Sequence, residues 1–274
     1  MINEALRIED LHFGYADGES SSIDNRKNIL QCLGLVRFMP SEASEEVLSG
    51  LDLILQRGET LCIAGASGKG KSVLLRIIAG LEQPTKGQFY YFGEHIPNTL
   101  HSPLEIAKRG VGFVFQNSAL VSNLCVRDNV SVPLYYHRLG SKEEIEDRVN
   151  MALDLMRVHA EEKKFPHMLS SGMQKRVAIA RSWAMDPKLL LMDDPMAGLD
   201  NYNRRTLVPL IDNMRAMFKT SIILVTHDLQ IARELDCNLC FLEGKKLSQA
   251  RRFEEWLESE EPFAKEMFRN LHEF

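Results

Sequence analysis

Gly65-Ala66-Ser67-Gly68-Lys69-Gly70-Lys71-Ser72 follows an apolar run, Thr60-Leu61-Cys62-Ile63-Ala64, and precedes an amphipathic one, Val73-Leu74-Leu75-Arg76-Ile77-Ile78-Ala79. That order reads as strand, glycine loop and helix, the context a phosphate-binding loop requires. Gly65 and Gly70 let the backbone bend so that successive N–H groups face one concave space. The following helix turns its positive end toward the same space, and Lys71 has the reach for β- and γ-phosphates. Ser72 offers a hydroxyl to Mg²⁺, an ion that favours oxygen ligands shared with phosphate. The candidate nucleotide contacts are therefore Gly65, Ser67, Gly68, Lys69, Gly70, Lys71, Ser72 and Val73. A glycine-rich turn with an incidental lysine is the plainer reading of the same letters. The flanking strand and helix favour a nucleotide.

At 274 residues, with 45% apolar and 26% charged residues, the chain has the composition of a soluble globular protein of one large domain or two modest ones. A formal charge of -5 argues against a general nucleic-acid surface, so no nucleic-acid partner is expected. No stretch approaches the roughly 20 apolar residues that span a bilayer. Met1-Ile2-Asn3-Glu4 does not open a signal peptide, and five scattered cysteines fit reduced thiols, so a cytosolic setting is expected. Cys237 and Cys240 form a CxxC inside what reads as a strand. An offset of three there points to opposite faces, which favours packing over metal or redox chemistry.

Outward from the loop, Leu6–Tyr15 reads as a first strand and Val47–Leu55 as the strand before the loop strand. Between them, residues 16–46 form an atypical extension whose apolar patch holds Leu33, Leu35, Val36 and Phe38, a strand or a partner-facing patch. Beyond the loop helix, Gln88–Phe92 is a short strand, and Val111-Gly112-Phe113-Val114-Phe115-Gln116 a buried strand ending in a lone polar residue. Composition then turns helical to residue 182. Ser141-Lys142-Glu143-Glu144 opens one helix as a capping box, and another begins at Ser170. Leu189–Met192 and Ser221–Val225 are fully apolar strands. Short apolar strands alternating with helices predict an α/β fold with a mainly parallel sheet, interrupted by a helical insertion. An amphipathic tail, residues 251–274, offers Trp256, Leu257, Phe263 and Phe268 as docking contacts.

Leu190-Leu191-Met192-Asp193-Asp194 ends a buried strand in two carboxylates. Beside a phosphate loop the first suits Mg²⁺ and the second an attacking water; the plainer reading is a helix cap. With Phe115-Gln116, Leu169-Ser170-Ser171-Gly172-Met173-Gln174, Ala197-Gly198-Leu199-Asp200 and Thr226-His227-Asp228 in this order, the chain resembles the nucleotide-binding subunit of ATP-binding cassette (ABC) transporters over nearly its whole length. The resemblance implies one nucleotide-binding domain: a P-loop core (residues 1–116 and 184–250) with an antiparallel β-subdomain, a helical signature subdomain (117–183) and a C-terminal docking segment. It implies ATP and Mg²⁺, with Ser72, Gln116 and Asp193 serving the metal. Asp194 would orient water, and Lys71 and His227 would stabilise the γ-phosphate. Gln116 matches the Q-loop, and Ser170, Ser171 and Gly172 match the signature loop that meets the nucleotide of a second copy. Asp200 matches the D-loop of a homodimer. Tyr15 matches the aromatic that stacks on adenine; a plain sheet-edge aromatic is its alternative.

Two positions depart from the family. The signature reads Leu-Ser-Ser-Gly-Met, and Ser171 in place of glycine is compatible with anion binding only if its φ is negative. Asp194 stands where glutamate is usual, about 1.5 Å shorter in reach. A misplacement of roughly 1 Å in an active site costs on the order of 10²-fold, so slow hydrolysis, an extra water or a shifted loop is expected. The signature methionine, Phe115–Leu120 and Val126-Arg127-Asp128-Asn129-Val130 resemble the ATPases of Mla/Mce-type lipid transport. That resemblance implies a phospholipid-class cargo, a separate integral-membrane permease seated near Ser118–Asn129, an Mce-domain partner, and a place on the cytoplasmic face of the membrane. An ordinary packed loop is the other reading of Ser118–Asn129. Two other readings of the whole stay open: an ATP-gated assembly module with negligible hydrolysis, and a soluble ABC protein outside transport.

Overall fold

The computed structural model describes residues 3–16 and 43–269. Nearly all of the expected extension, including Leu33, Leu35, Val36 and Phe38, lies outside the described residues, as does the tail from 270 onward. In chain order the elements are β1 (Glu4–Ala16), β2 (Ala43–Gln56), β3 (Thr60–Ala64), α1 (Lys71–Ile78), β4 (Lys86–Tyr91), β5 (Glu94–Ile96), α2 (Pro103–Lys108) and β6 (Val111–Val114). Helices α3 (Val126–His137), α4 (Lys142–Leu155) and α5 (Ser171–Trp183) follow, then β7 (Leu189–Asp193), α6 (Asn201–Phe218), β8 (Ser221–Val225) and α7 (Gln230–Glu234). The described chain closes with β9 (Asn238–Glu243), β10 (Lys246–Leu247), α8 (Phe253–Leu257) and α9 (Pro262–Arg269).

Two sheets carry these elements. One is antiparallel, in the order β2-β1-β4-β5; the other runs β10-β9-β3-β8-β7-β6 and is parallel except for its β10 edge. Every strand residue of β3, β7 and β8 is buried, as a parallel sheet covered on both faces demands. Alternation along those strands splits the core in two. Cys62, Leu190, Met192, Ile222 and Leu224 face α3–α6, whereas Leu61, Ile63, Leu189, Leu191 and Ile223 face α1 and the antiparallel sheet. Cys237 and Cys240 fall on opposite sides of this division, as their spacing predicts.

Helix α4 begins with the expected capping box. Ser141 Oγ accepts from the Glu144 N–H at 3.2 Å, and Glu144 Oε2 accepts from the Ser141 N–H at 2.7 Å. Strand β2 runs longer than its apolar alternation predicts and kinks at Gly50, whose φ is +59°. Strand β6 departs from expectation. It ends at Val114 and lies at the sheet edge, so only Val114 is buried, while Val111, Gly112 and Phe113 have one uncovered flank. Phe115 and Gln116 belong to the loop beyond it.

The C-terminal segment docks on β9. Trp256 is buried and donates its Nε1–H to the Leu239 carbonyl at 2.7 Å, with the Phe241 ring edge-on at 4.9 Å. Phe268 is buried and Phe263 partly so, but Leu257 is 46% exposed and lies outside the buried cluster, because α8 turns Phe253 and Trp256 to the core. Trp256→Ala is expected to cost about 3–5 kcal/mol, read as a lowered urea midpoint with an unchanged slope.

Candidate active site

Strand order brings the site together. β3, β8, β7 and β6 are parallel neighbours in register, with Ile63 opposite Val225, Asp193 opposite Val225, and Val114 opposite Met192. Their C-terminal ends therefore open on one edge, where parallel sheets place ligands. The phosphate loop leaves β3, the Thr226–His227 turn leaves β8, the two aspartates end β7, and Gln116 follows β6. Ser67, Gly68, Lys71, Ser72, Gln116, Asp193, Asp194, Val225, Thr226 and His227 line one cleft of about 240 Å³.

Two loop glycines are required by the backbone. Gly65 has φ +151°, and a Cβ there would sit 2.8 Å from the Leu242 carbonyl oxygen. Gly70 caps α1 at φ +95°, and its Cβ would sit 2.8 Å from Val47 Cγ1. The loop curls around Lys71, whose Nζ donates to the carbonyls of Gly65 at 2.7 Å and Ala66 at 2.8 Å. Burial lowers the Lys71 pKa, and Asp194 and Asp193 oppose that shift. Lys69 lies 4.0 Å from Glu243, and Val73 is buried in α1.

Ser72 Oγ donates to Asp193 Oδ1 at 2.7 Å across the mouth of the cleft. Burial raises the Asp193 pKa, and the Ser72 bond pulls the other way. An octahedral Mg²⁺ with ligands at about 2.1 Å has neighbouring oxygens about 3 Å apart. The Ser72–Asp193 pair fits such an edge, and Gln116 adds a third oxygen donor to the same cleft.

Asp194 adopts the left-handed backbone at φ +41°, a conformation that costs an ordinary residue about 1–2 kcal/mol and that aspartate tolerates better than most. Its Oδ2 lies 2.8 Å from His227 Nδ1, and its Oδ1 accepts from Thr226 Oγ1 at 3.3 Å. Asp194 is thus mostly covered while His227 stays two-thirds exposed toward the cleft. The neighbouring Asp228 is ion-paired to Arg204 on α6, which also reaches Glu234 at 3.4 Å.

The signature residues stand outside this cleft. Ser170 caps α5, its Oγ accepting from the Met173 N–H at 3.3 Å, and Ser171 is the exposed first residue of the helix. Ser171 is absent from the left-handed residues, so its backbone meets the condition an anion site sets. Gly172 packs against α6: a Cβ there would lie 2.3 Å from Asn203 Oδ1. Asn203 in turn donates through its backbone N–H to Asp200 Oδ1 at 2.8 Å and through Nδ2 to both Asp200 oxygens at 3.1 Å. Asp200 is thus hydrogen-bonded to the residue packed on Gly172, and Ser170, Ser171 and Asp200 are exposed. Tyr15, at the end of β1, is half-buried with its ring edge-on to Phe13 at 5.1 Å, and it does not line the cleft.

Sequence reading passed over Thr226 as a hydroxyl donor, Asn203 as the bridge to Gly172, and Lys175. Lys175 is buried and donates to the Gln116 carbonyl. Burial lowers its pKa, and Asp194 and Asp193 oppose that shift. The available signal was a lysine on the apolar face of α5, one helical turn past Gly172.

A glycine loop wrapped around a lysine, with a hydroxyl–carboxylate pair at the adjoining strand end of a parallel sheet, defines a P-loop nucleotide-binding protein. The chain belongs to the ABC transporter family, which it matches over residues 48–197. It is 34% identical over 202 residues to the lipoprotein-releasing system ATP-binding protein LolD 1 of Chlorobium chlorochromatii, covering 73% of this chain and 82% of the relative. It is 35% identical over 204 residues to the sulfate/thiosulfate import ATP-binding protein CysA of Mesostigma viride, covering 74% of this chain but only 57% of that relative. Among solved structures, the dimeric ATP-binding cassette MJ0796 bound to ADP and Pi superposes with a TM-score of 0.73 at 26% identity, over 90% of this chain and 98% of that one. For cbiO1 of Clostridium perfringens, part of the ABC transporter complex cbiONQ, the TM-score is 0.75 at 27% identity, over 99% and 95%. No helix among the described residues is long and apolar enough to cross a membrane.

Proposed function

We propose that this chain is the ATP-binding and ATP-hydrolysing subunit of an ABC transporter, working as a homodimer against a separate integral-membrane permease on the cytoplasmic face. One observation carries the reading. Lys71, Ser72, Gln116, Asp193, Asp194 and His227 converge on one cleft, while Ser170, Ser171 and Asp200 are exposed together outside it. A signature loop so exposed is free to meet the nucleotide of a second copy.

In the cleft, backbone N–H groups of the loop and the Lys71 ammonium bind the phosphates. Ser72, Asp193 and Gln116 would hold a Mg²⁺ ion, which would supply charge neutralisation for the phosphates. Asp194 orients the attacking water and accepts its proton, and His227, hydrogen-bonded to Asp194, faces the γ-phosphate. Closure follows from differential contact, since each triphosphate touches both copies only when the dimer is closed. Tyr15, at the end of β1 and outside the phosphate cleft, is the adenine platform in this reading.

The cargo we assign is a lipid, with an Mce-domain protein as the lipid-carrying partner. Support comes from the Met173 signature and the Phe115–Leu120 and Val126–Val130 stretches, together with a relative named for lipoprotein release. The permease contact we place at residues 118–129, where Val121 is exposed. The test is ATP-dependent dimerisation of the purified chain, then detergent capture of its permease and transport of a fluorescent phospholipid in proteoliposomes. A permease that moves sulfate and no lipid would sink the cargo assignment and leave the ATPase standing.

A second reading, an ATP-gated module with negligible hydrolysis, draws on the cover over Asp194. Its carboxylate is held by His227 and Thr226, and it is shorter than the family's glutamate. Single-turnover phosphate release from the permease complex separates the two.

A further inference from the structure

We propose that Lys175 is a positioning residue that holds the Gln116 and Asp194 backbones in place from the signature helix. Its side chain leaves the second turn of α5 and is only 4% exposed. Nζ donates to the carbonyl of Gln116 and lies 3.5 Å from the carbonyl of Asp194. Among the described residues no carboxylate oxygen pairs with it directly. The compensating charges, Asp193 and Asp194, act through space from the cleft side.

An ammonium buried without a paired carboxylate is an expensive way to fill space. Methionine or leucine would pack the same volume at no desolvation cost. What lysine adds is donors aimed at two backbone segments that need holding. Ser118 and Ala119, just beyond Gln116, sit at φ +63° and +43°, and Asp194 sits at +41°. Non-glycine residues stay in that region only when their surroundings hold them there. The rest of α5 grips the same segment: Arg181 donates to the carbonyls of Ser118 and Ala119 at 2.9 and 2.7 Å, and Ser182 donates to the Phe113 carbonyl at 2.7 Å. Lys175 differs from those two in also reaching Asp194. It is the bridge between the helical layer, the loop after β6 and the end of β7.

This inference rests on the proposed ATPase function for its kinetic readout, and hydrogen exchange supplies a readout that does not. In Lys175→Met, exchange at residues 115–119 and 194–197 is expected to rise, while residues 65–72 and the ADP Kd stay unchanged. ATP turnover is expected to fall about tenfold or more, with KM within about twofold. Lys175→Arg, which keeps both charge and donors, is expected to recover most of the loss. Unchanged exchange in both segments of a folded Lys175→Met protein overturns the inference, and so does turnover within twofold of the wild type. If Lys175→Met does not fold, Lys175→Arg and Lys175→Gln decide by the same exchange pattern. A wild-type chain without ATPase activity overturns the proposed function instead and leaves the exchange result to judge Lys175.

Discussion

Replacing Asp194 with asparagine is expected to lower steady-state phosphate release by about 10²–10⁴-fold, the range a general base contributes. KM should stay within a few-fold, because the phosphate loop and Lys71 are untouched. Asparagine keeps the volume and the left-handed tolerance of aspartate, so the backbone at φ +41° is preserved and the loss reports the carboxylate alone. A variant retaining more than a tenth of wild-type turnover would show that water is activated elsewhere. The companion change, Asp194→Glu, adds about 1.5 Å of reach. It is expected to raise turnover about tenfold, since the shorter side chain is held back by His227 at 2.8 Å and Thr226 at 3.3 Å. No gain would mean that the shifted backbone already compensates for the missing methylene. Absence of phosphate release from the wild type, with ATP bound and the dimer closed, would favour the gate.

Lys71→Ala carries the other large effect. Among the described residues Lys71 is the one lysine lining the cleft, and charge-assisted hydrogen bonds contribute about 1.5–3 kcal/mol each. The ATP Kd is expected to rise about 10–100-fold, measured by titration calorimetry, and turnover to fall a further 10²-fold or more. The same change removes two bonds to loop carbonyls, at Gly65 and Ala66. A thermal melt therefore accompanies the titration. A variant that melts as wild type yet binds ATP as tightly would remove Lys71 from the phosphate site.

The legible parts of this protein were those set by local pattern. Thr60–Ala64, the two glycines and the helix after them lie within about twenty residues, and their geometry follows from backbone freedom and apolar spacing. The capping box at Ser141–Glu144 is equally local. Cys237 and Cys240 were readable as packing residues because the two-residue period of a strand holds wherever the strand lies. The misreadings were non-local. Val111–Phe113 carry the residues of a buried strand, and only the sheet order puts them at an edge. Leu257 is as apolar as Phe263, and only the way α8 docks turns it outward. Lys175, Asn203 and Thr226 act through partners 59, 31 and 32 positions away, a separation that no motif spacing conveys.

By itself the amino-acid order determined that a phosphate loop exists, that a parallel sheet carries it, and that the family motifs follow in sequence. Each of these rests on short-range periodicity and on residue types whose backbone preferences do not depend on context. Only the tertiary structure decided that β3, β8, β7 and β6 are neighbours, which is what brings Lys71, Asp193, His227 and Gln116 to one cleft. It also decided that Ser170 and Ser171 face away from that cleft, and that Asp194 rests against His227 rather than reaching forward. Strand pairing and side-chain contact join residues far apart in the chain, and their free energy depends on the whole packed core.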